Sequence, residues 1–164
     1  RANLGKCVPS WTYGINASID WKGIDFSMVW QGVAGNKIFD ATRRTDIPTM
    51  NQPKYVLNRW TGEGSTNEYP RFTVTDPNQN WSKASDFFIK DASYFRLKNV
   101  TLGYTLPVNW TNKIFVKKFR VYVACENALT FTKYHGFDPE IADYVDRGIY
   151  PQARTVQFGA NITF

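Results

Sequence analysis

The sequence predicts an all-β chain whose antiparallel strands form part of a large transmembrane β-barrel with long external loops. Three observations predict it. In five stretches apolar residues recur at every second position, the period of a strand with one greasy face. The connections between those stretches alternate tight and long, the arrangement of membrane barrels with short turns on one side and long loops on the other. The second face of each stretch carries Gly, Asn, Ser, Asp, Thr and Gln, which suit a wetted lumen better than the inside of a sandwich.

The first strand is expected over about 12–21, with Tyr13, Ile15, Ala17, Ile19 and Trp21 on one face and Gly14, Asn16, Ser18 and Asp20 on the other. Lys22-Gly23 is a two-residue hairpin turn. The second strand, about 24–32, alternates Ile24, Phe26, Met28 and Trp30 with Asp25, Ser27, Val29 and Gln31. From about 33 to 93 the pattern dissolves into a stretch rich in Asn, Thr, Pro, Asp and Arg, too long to be an ordinary loop of a compact domain. Alternation returns over about 94–106 with Val100, Leu102 and Tyr104. Phe95 and Leu97 sit in the opposite phase, so either a bulge falls near Lys98 or the strand has left the region where one face must be apolar. A fourth strand, about 118–130, carries Phe119, Val121, Val123 and Cys125. After a second external loop, about 132–152, a fifth strand over about 153–164 carries Val156, Phe158, Ala160 and Ile162. Each stretch approximates the tilted strand of ~9–11 residues that crosses a bilayer. Five strands cannot close such a barrel, because eight is the practical minimum. The chain is therefore expected to be the C-terminal part of a larger one.

Composition narrows the class. The chain has 164 residues, and 20 Lys+Arg against 14 Asp+Glu give a formal charge of +6. Hydrophobic residues at 43% exclude a disordered chain. Mean hydropathy is −0.42, and no run approaches the ~18 apolar residues of a membrane helix. A barrel survives that test, since alternation averages out. Aromatics at 16% fit interfacial girdles or a sugar-binding surface. The chain begins at Arg1 with no signal peptide to read, which suggests a fragment or a processed chain. Basic residues are scattered, with only Lys117, Lys118 and Arg120 clustered, so nucleic acid is not an expected partner. That cluster is expected at the headgroup level. Cys7 and Cys125 lack zinc or redox spacing, and an oxidising compartment would permit them to pair.

Several strings carry a family likeness. Arg96-Leu-Lys-Asn-Val-Thr-Leu-Gly-Tyr-Thr-Leu-Pro107, Glu126-Asn-Ala-Leu-Thr-Phe131, Tyr134-His-Gly-Phe-Asp-Pro-Glu140 and Tyr150-Pro-Gln-Ala-Arg-Thr-Val-Gln-Phe-Gly-Ala-Asn-Ile-Thr-Phe164 resemble the SusC/RagA family of TonB-dependent outer-membrane transporters of Bacteroidetes. Trp11 to Gly35 is similar to a hairpin region of the same family, and only about 36–88 lacks a recognisable pattern. The resemblance implies a 22-stranded barrel with an N-terminal plug, of which this chain is the last five strands. It implies an outer-membrane location in contact with lipid, and a SusD-like surface lipoprotein as lid. It also implies import of glycans or peptides, driven by TonB through N-terminal parts. No enzymatic activity and no cofactor are implied.

The same resemblance reads Phe158, Ile162 and Phe164 as the aromatic C-terminal signal for outer-membrane assembly, on a strand whose edge is a template for strand addition. In the long loop Trp60, Tyr69 and Trp81 with Arg43 and Arg44 fit substrate or lid contact, since rings stack on sugars and Arg forks grip carboxylates. Packing of the loop on itself explains them equally. Asp138, Glu140, Asp143 and Asp146 gather on the second loop, but their spacing is not that of a calcium-binding EF-hand. Side chain–backbone bonds from Asp138 explain the first of them better. No nucleophile–base arrangement or phosphate loop is present. The competing reading is a soluble β-sandwich module that binds carbohydrate.

Overall fold

The computed structural model describes residues 3–42 and 51–164, so Arg43 and Arg44 lie outside the described residues. In chain order the strands are β1 (Trp11–Trp21), β2 (Ile24–Ala34), β3 (Lys37–Asp40), β4 (Ile89–Asp91), β5 (Tyr94–Thr105), β6 (Lys118–Thr132), β7 (Val145–Asp146) and β8 (Thr155–Thr163). A short helix α1 (Val108–Thr111) precedes β6, and 3-10 turns lie at Lys54–Asn58, Asp86–Phe88 and Asn112–Ile114. No helix among the described residues is long and apolar enough to cross a membrane.

The larger sheet has the order β1-β2-β5-β6-β8, antiparallel throughout. The smaller has the order β4-β3-β7. Lys22 and Gly23 both take positive φ, +47° and +88°, the conformation of a two-residue turn whose twist matches its strands. Thr105 N–H donates to Gly23 O at 2.7 Å, which ties that turn to the end of β5. β3, β4 and β7 are strands where the sequence suggested only loop. At four, three and two residues they are too short to display a period.

Register assembles the alternating residues into two opposite faces. Ile15 lies opposite Trp30, Met28 opposite Val100, Leu102 opposite Val123 and Val123 opposite Phe158. Facing residues in a sheet share a side, so these side chains form one apolar surface across five strands. It is open: Ile15, Leu102 and Phe158 are 52%, 49% and 84% exposed. No described layer covers it, and that removes the sandwich reading, which needs a second sheet there.

Pairing slips between Val29 and Trp30 against β2 and between Leu97 and Asn99 against β6. The slip leaves Lys98 out of both ladders and returns Phe95 and Leu97 to the apolar side, so the phase change is a bulge. β6 carries its own extra residue there, with Asn127 at φ +51°. Near this end Trp30 stacks on Phe95 with centroids 4.6 Å apart, and Tyr13 and Phe131 extend the row. Trp21, Tyr104 and Phe164 mark the opposite end, all exposed. The eight-residue step from Tyr13 to Trp21 is roughly 26 Å along the strand. At a tilt of ~40° this suits an apolar band bounded by two aromatic girdles.

The polar face is laid across strands. Arg120 of β6 reaches over β5 to Asp25 of β2, with Nε donating to Oδ1 at 2.8 Å. Gly103 lies beneath the bridge, and a Cβ there would run into both side chains. Arg120 thus faces the polar side rather than a headgroup, and Lys118 shares its face through the two-residue period. Tyr122 lies over Gly159 in the same manner. Cys7 and Cys125 are both free, Cys125 on the apolar face opposite Val156. Phe164 follows the end of β8.

Candidate functional site

The two long connections fold together into a cap at the end of the sheet away from the Lys22-Gly23 turn. β3 runs on beyond β2 and pairs antiparallel with β4 and in parallel with β7, which knits the first loop to the second. Ile38, Ala92, Tyr134 and Ile141 form a buried cluster beneath this small sheet. Tyr134 O–H donates to Asp146, whose other carboxylate oxygen accepts from Gly148 N–H at 2.8 Å. Burial and that carboxylate push the Tyr134 phenol well above its ordinary value, so it stays a donor at any physiological pH. A second cluster packs the first loop. Trp81 is 2% exposed, meets Phe72 and Phe87 edge-on, and donates Nε1–H to Arg71 O at 2.9 Å. The Asp76 carboxylate accepts from the backbone N–H groups of Asn80, Trp81 and Ser82, which closes the turn that delivers that ring.

Two cavities open in the cap. The larger, about 860 Å³, is lined by the Tyr55–Tyr69 stack and Phe87, with Lys54, Lys90 and Lys133 among its charged groups. The Lys90 ammonium stands 4.4 Å from the Phe87 ring centroid. Burial raises the Tyr69 pKa, helped by the nearby Glu68 carboxylate. Cations and carboxylates (Asp40, Glu68, Asp91) both line this cavity, so it presents aromatic faces between charges of either sign. The smaller, about 270 Å³, lies against the sheet and is lined by Arg96, Asn127, Thr130 and Gln152. Gly136 and Phe137 line both.

Beneath Phe137 the second loop is bound to the wall by a buried ion cluster. Arg96 is 3% exposed on the polar side of β5. Its Nη2 donates to Asp138 Oδ1 at 2.7 Å, its Nη1 to Glu140 Oε2 at 2.9 Å and its Nε to Thr130 Oγ1 at 2.9 Å. Lys98 Nζ donates to the same Glu140 oxygen at 2.7 Å and to Gln152 Oε1 at 3.1 Å. Asp138 also accepts the backbone N–H groups of Glu140 and Gln152. Burial raises the pKa of Asp138, but Arg96 and the two N–H donors outweigh it, and the net direction is down.

The structure distributes the sequence-predicted residues unevenly. Tyr69 lines the larger cavity. Trp60 is half-buried, its backbone N–H donating across the loop to Tyr69 O at 3.0 Å and its ring 6.0 Å from the Arg71 guanidinium, but it is not in the cavity lining. Trp81 is turned inward and fills the cap. Phe158 and Ile162 lie on the open apolar face of β8, with Phe164 just beyond. The four loop acids do not converge on a metal: Asp138 and Glu140 bind Arg96 and Lys98, Asp143 pairs with Arg147 at 2.7 Å, and Asp146 holds Tyr134. Among the described residues no group of three or more His, Cys, Asp or Glu is placed to hold a metal ion. Sequence reasoning missed Phe137 and the Arg96 cluster. The available signal was two basic residues at the start of the third long strand, next to a loop carrying four acids.

No family model matches the chain. Individual proteins do. A TonB-dependent receptor, P3, of Formosa agariphila is 30% identical over 178 residues, an alignment covering 100% of this chain and 17% of the receptor. The TonB-dependent receptor SusC of Bacteroides thetaiotaomicron is 37% identical over 152 residues, covering 92% of this chain and 15% of its own length. A chain of the RagAB peptide importer in its "closed-closed" state matches with a TM-score of 0.76 and 27% identity, over 96% of this chain and 18% of that one. The chain thus spans less than a fifth of the length of each of these three proteins.

Proposed function

The chain is SusC/RagA-like, similar over its whole length to part of TonB-dependent receptors, and from that premise we propose that it forms wall and external loops of a nutrient importer in the outer membrane. The larger sheet is the last five strands of a 22-stranded barrel. Its apolar face meets lipid and its polar face meets an aqueous lumen. β1 and β8 pair with strands of the remaining barrel, because an edge left open in lipid strands backbone groups at several kcal/mol each. The cap is the external surface that meets substrate and a SusD-like lipoprotein. Transport is driven by TonB acting through the plug, in the N-terminal part of the transporter. The substrate is a glycan or a peptide. The chain performs no chemistry of its own.

One observation carries this reading: a single sheet keeps an uncovered apolar face across five strands while its polar face carries charge bridges and a folded cap. In water that surface would be a severe aggregation liability; in a bilayer it is the solvent-matched side. The reading is tested on the full-length transporter in its own cells. It should fractionate with outer membranes, require detergent for extraction, and run faster unheated than boiled on a gel. Deleting its gene should abolish uptake of a defined oligosaccharide or peptide mixture that supports growth. A protein released without detergent, or uptake of every such nutrient unchanged by the deletion, overturns it.

A further inference from the structure

Three of the sequence strings that carry the family likeness meet at one place: Arg96 and Lys98 from the first, Asp138 and Glu140 from the Gly-Phe-Asp-Pro-Glu run, and Gln152 from the Tyr-Pro-Gln run. Nothing in the transport reading uses this cluster. Its members come from two strands of the sheet, β5 and, through Thr130, β6, and from both arms of the second loop. The middle of that loop is attached elsewhere, through β7 on β3 and through Ile141, which shares a buried cluster with Ile38 and Ala92. Residues 133–152 therefore span between two anchorages, one on the wall and one on the cap. Gly136 and Phe137, immediately before the wall anchorage, stand between the two cavities. Phe137 is 67% exposed, so packing does not hold it. Its backbone is held from both sides, by Gly136 against the buried Tyr134 ring and by the Asp138 carboxylate gripped by Arg96.

We propose that residues 133–152 are a latched partition: Arg96 and Lys98 are positioning residues that hold Gly136–Phe137 as the wall between the two cavities, and release of the latch joins the cavities into one passage along the polar face. The wall anchorage is charged, concentrated in two acids, and separable from the apolar core of the cap. The two anchorages therefore open independently. Buried ion pairs suit such a role, since breaking one by removing a partner leaves an uncompensated charge and gives an abrupt rather than graded response. The bulge at Lys98 helps to build the anchorage, because it disturbs the ladder where the loop must dock. That the passage is lumenal rests on the transport reading; the latch does not.

Hydrogen exchange on the full-length transporter in detergent tests the latch whether or not any nutrient is moved. In Asp138→Asn the amides of Glu140, Ile141 and Gln152 should exchange roughly a hundredfold faster, as expected when a buried pair loses one partner, while those of 145–148 at the cap anchorage keep their rates. The ladder amides of 100–105 and 118–125 should keep their protection. Lys98→Met, which removes the partly exposed partner of Glu140 and Gln152, should accelerate the same amides by roughly twofold to fivefold. This second variant decides the question by itself if Asp138→Asn fails to reach the membrane. Glu126→Gln, on the same face but outside the cluster, should change nothing in 136–152. Unchanged exchange of 136–152 in the latch variants overturns the proposal. So does acceleration that spreads equally through β5 and β6, because the loop would then have no opening of its own.

Discussion

The sheet and the cap are stabilised by opposite means. In the sheet the largest hydrophobic side chains point away from the protein, and its internal order comes from ladder hydrogen bonds and from charge bridges such as Arg120–Asp25. In the cap some large hydrophobic side chains point inward, with Ile38 and Tyr134 in one small cluster and Trp81 in another. The sheet has regular backbone and takes its hydrophobic stabilisation from the surrounding medium. The cap has irregular backbone and supplies its own. On the transport reading one chain is folded against two solvents, with the boundary at the aromatic row of Tyr13, Trp30, Phe95 and Phe131.

The contrast can be broken from either side. Trp81→Ala removes the largest buried ring of the cap and should cost about 3–5 kcal/mol of local stability. Protease should then cut within 51–92 on intact cells while the heat-modifiable barrel band persists. Val100→Arg puts a charge on the apolar face near mid-strand and should cost about 2–4 kcal/mol. It should lower the assembled fraction in outer membranes, with no change in cap proteolysis of the molecules that do assemble. Gly103→Ala forces a Cβ into the Arg120–Asp25 bridge and should cost about 1–3 kcal/mol, read as a lower urea midpoint for barrel unfolding. Acid should act on the cap first. The Asp138 pKa lies below its ordinary 3.8 when folded. Its contribution is therefore complete above 3.8 and is lost as pH falls through the folded value. Loop proteolysis should rise below pH 3.8 and should not change between pH 5 and 8. Removing Phe164 should give the smallest effect, a reduced outer-membrane yield with normal behaviour of the assembled remainder.

The two regions were also unequally legible. The period-2 pattern exposed β1, β2, β5, β6 and β8 because a strand between lipid and water must alternate. The out-of-phase Phe95 and Leu97 offered a bulge near Lys98 as one of two explanations, and the register selects it. The cap gave no such signal. β3, β4 and β7 are two to four residues long, and their pairing is decided by contacts such as Tyr134 to Asp146 that lie far apart in the chain. Trp81 illustrates the limit: a Trp in a polar loop fits contact and self-packing equally until its neighbours Phe72 and Phe87 are seen to enclose it. The charge on Lys118 and Arg120 was visible, but which face each side chain took required the register.

The central claim is that the apolar face is wetted by lipid and the polar face by water. Single cysteines placed at Ile15, Val100, Val123 and Phe158, and at their neighbours Asn16, Thr101, Ala124 and Gln157, can be labelled with a fluorophore in the full-length transporter, in a background with Cys7 and Cys125 replaced by Ser. Reconstitution into bilayers containing spin-labelled lipid then reads contact with hydrocarbon directly. The account predicts strong quenching at the first four sites and little at the second four, alternating residue by residue along each strand. Equal quenching within each pair, or stronger quenching at Asn16, Thr101, Ala124 and Gln157, would contradict it.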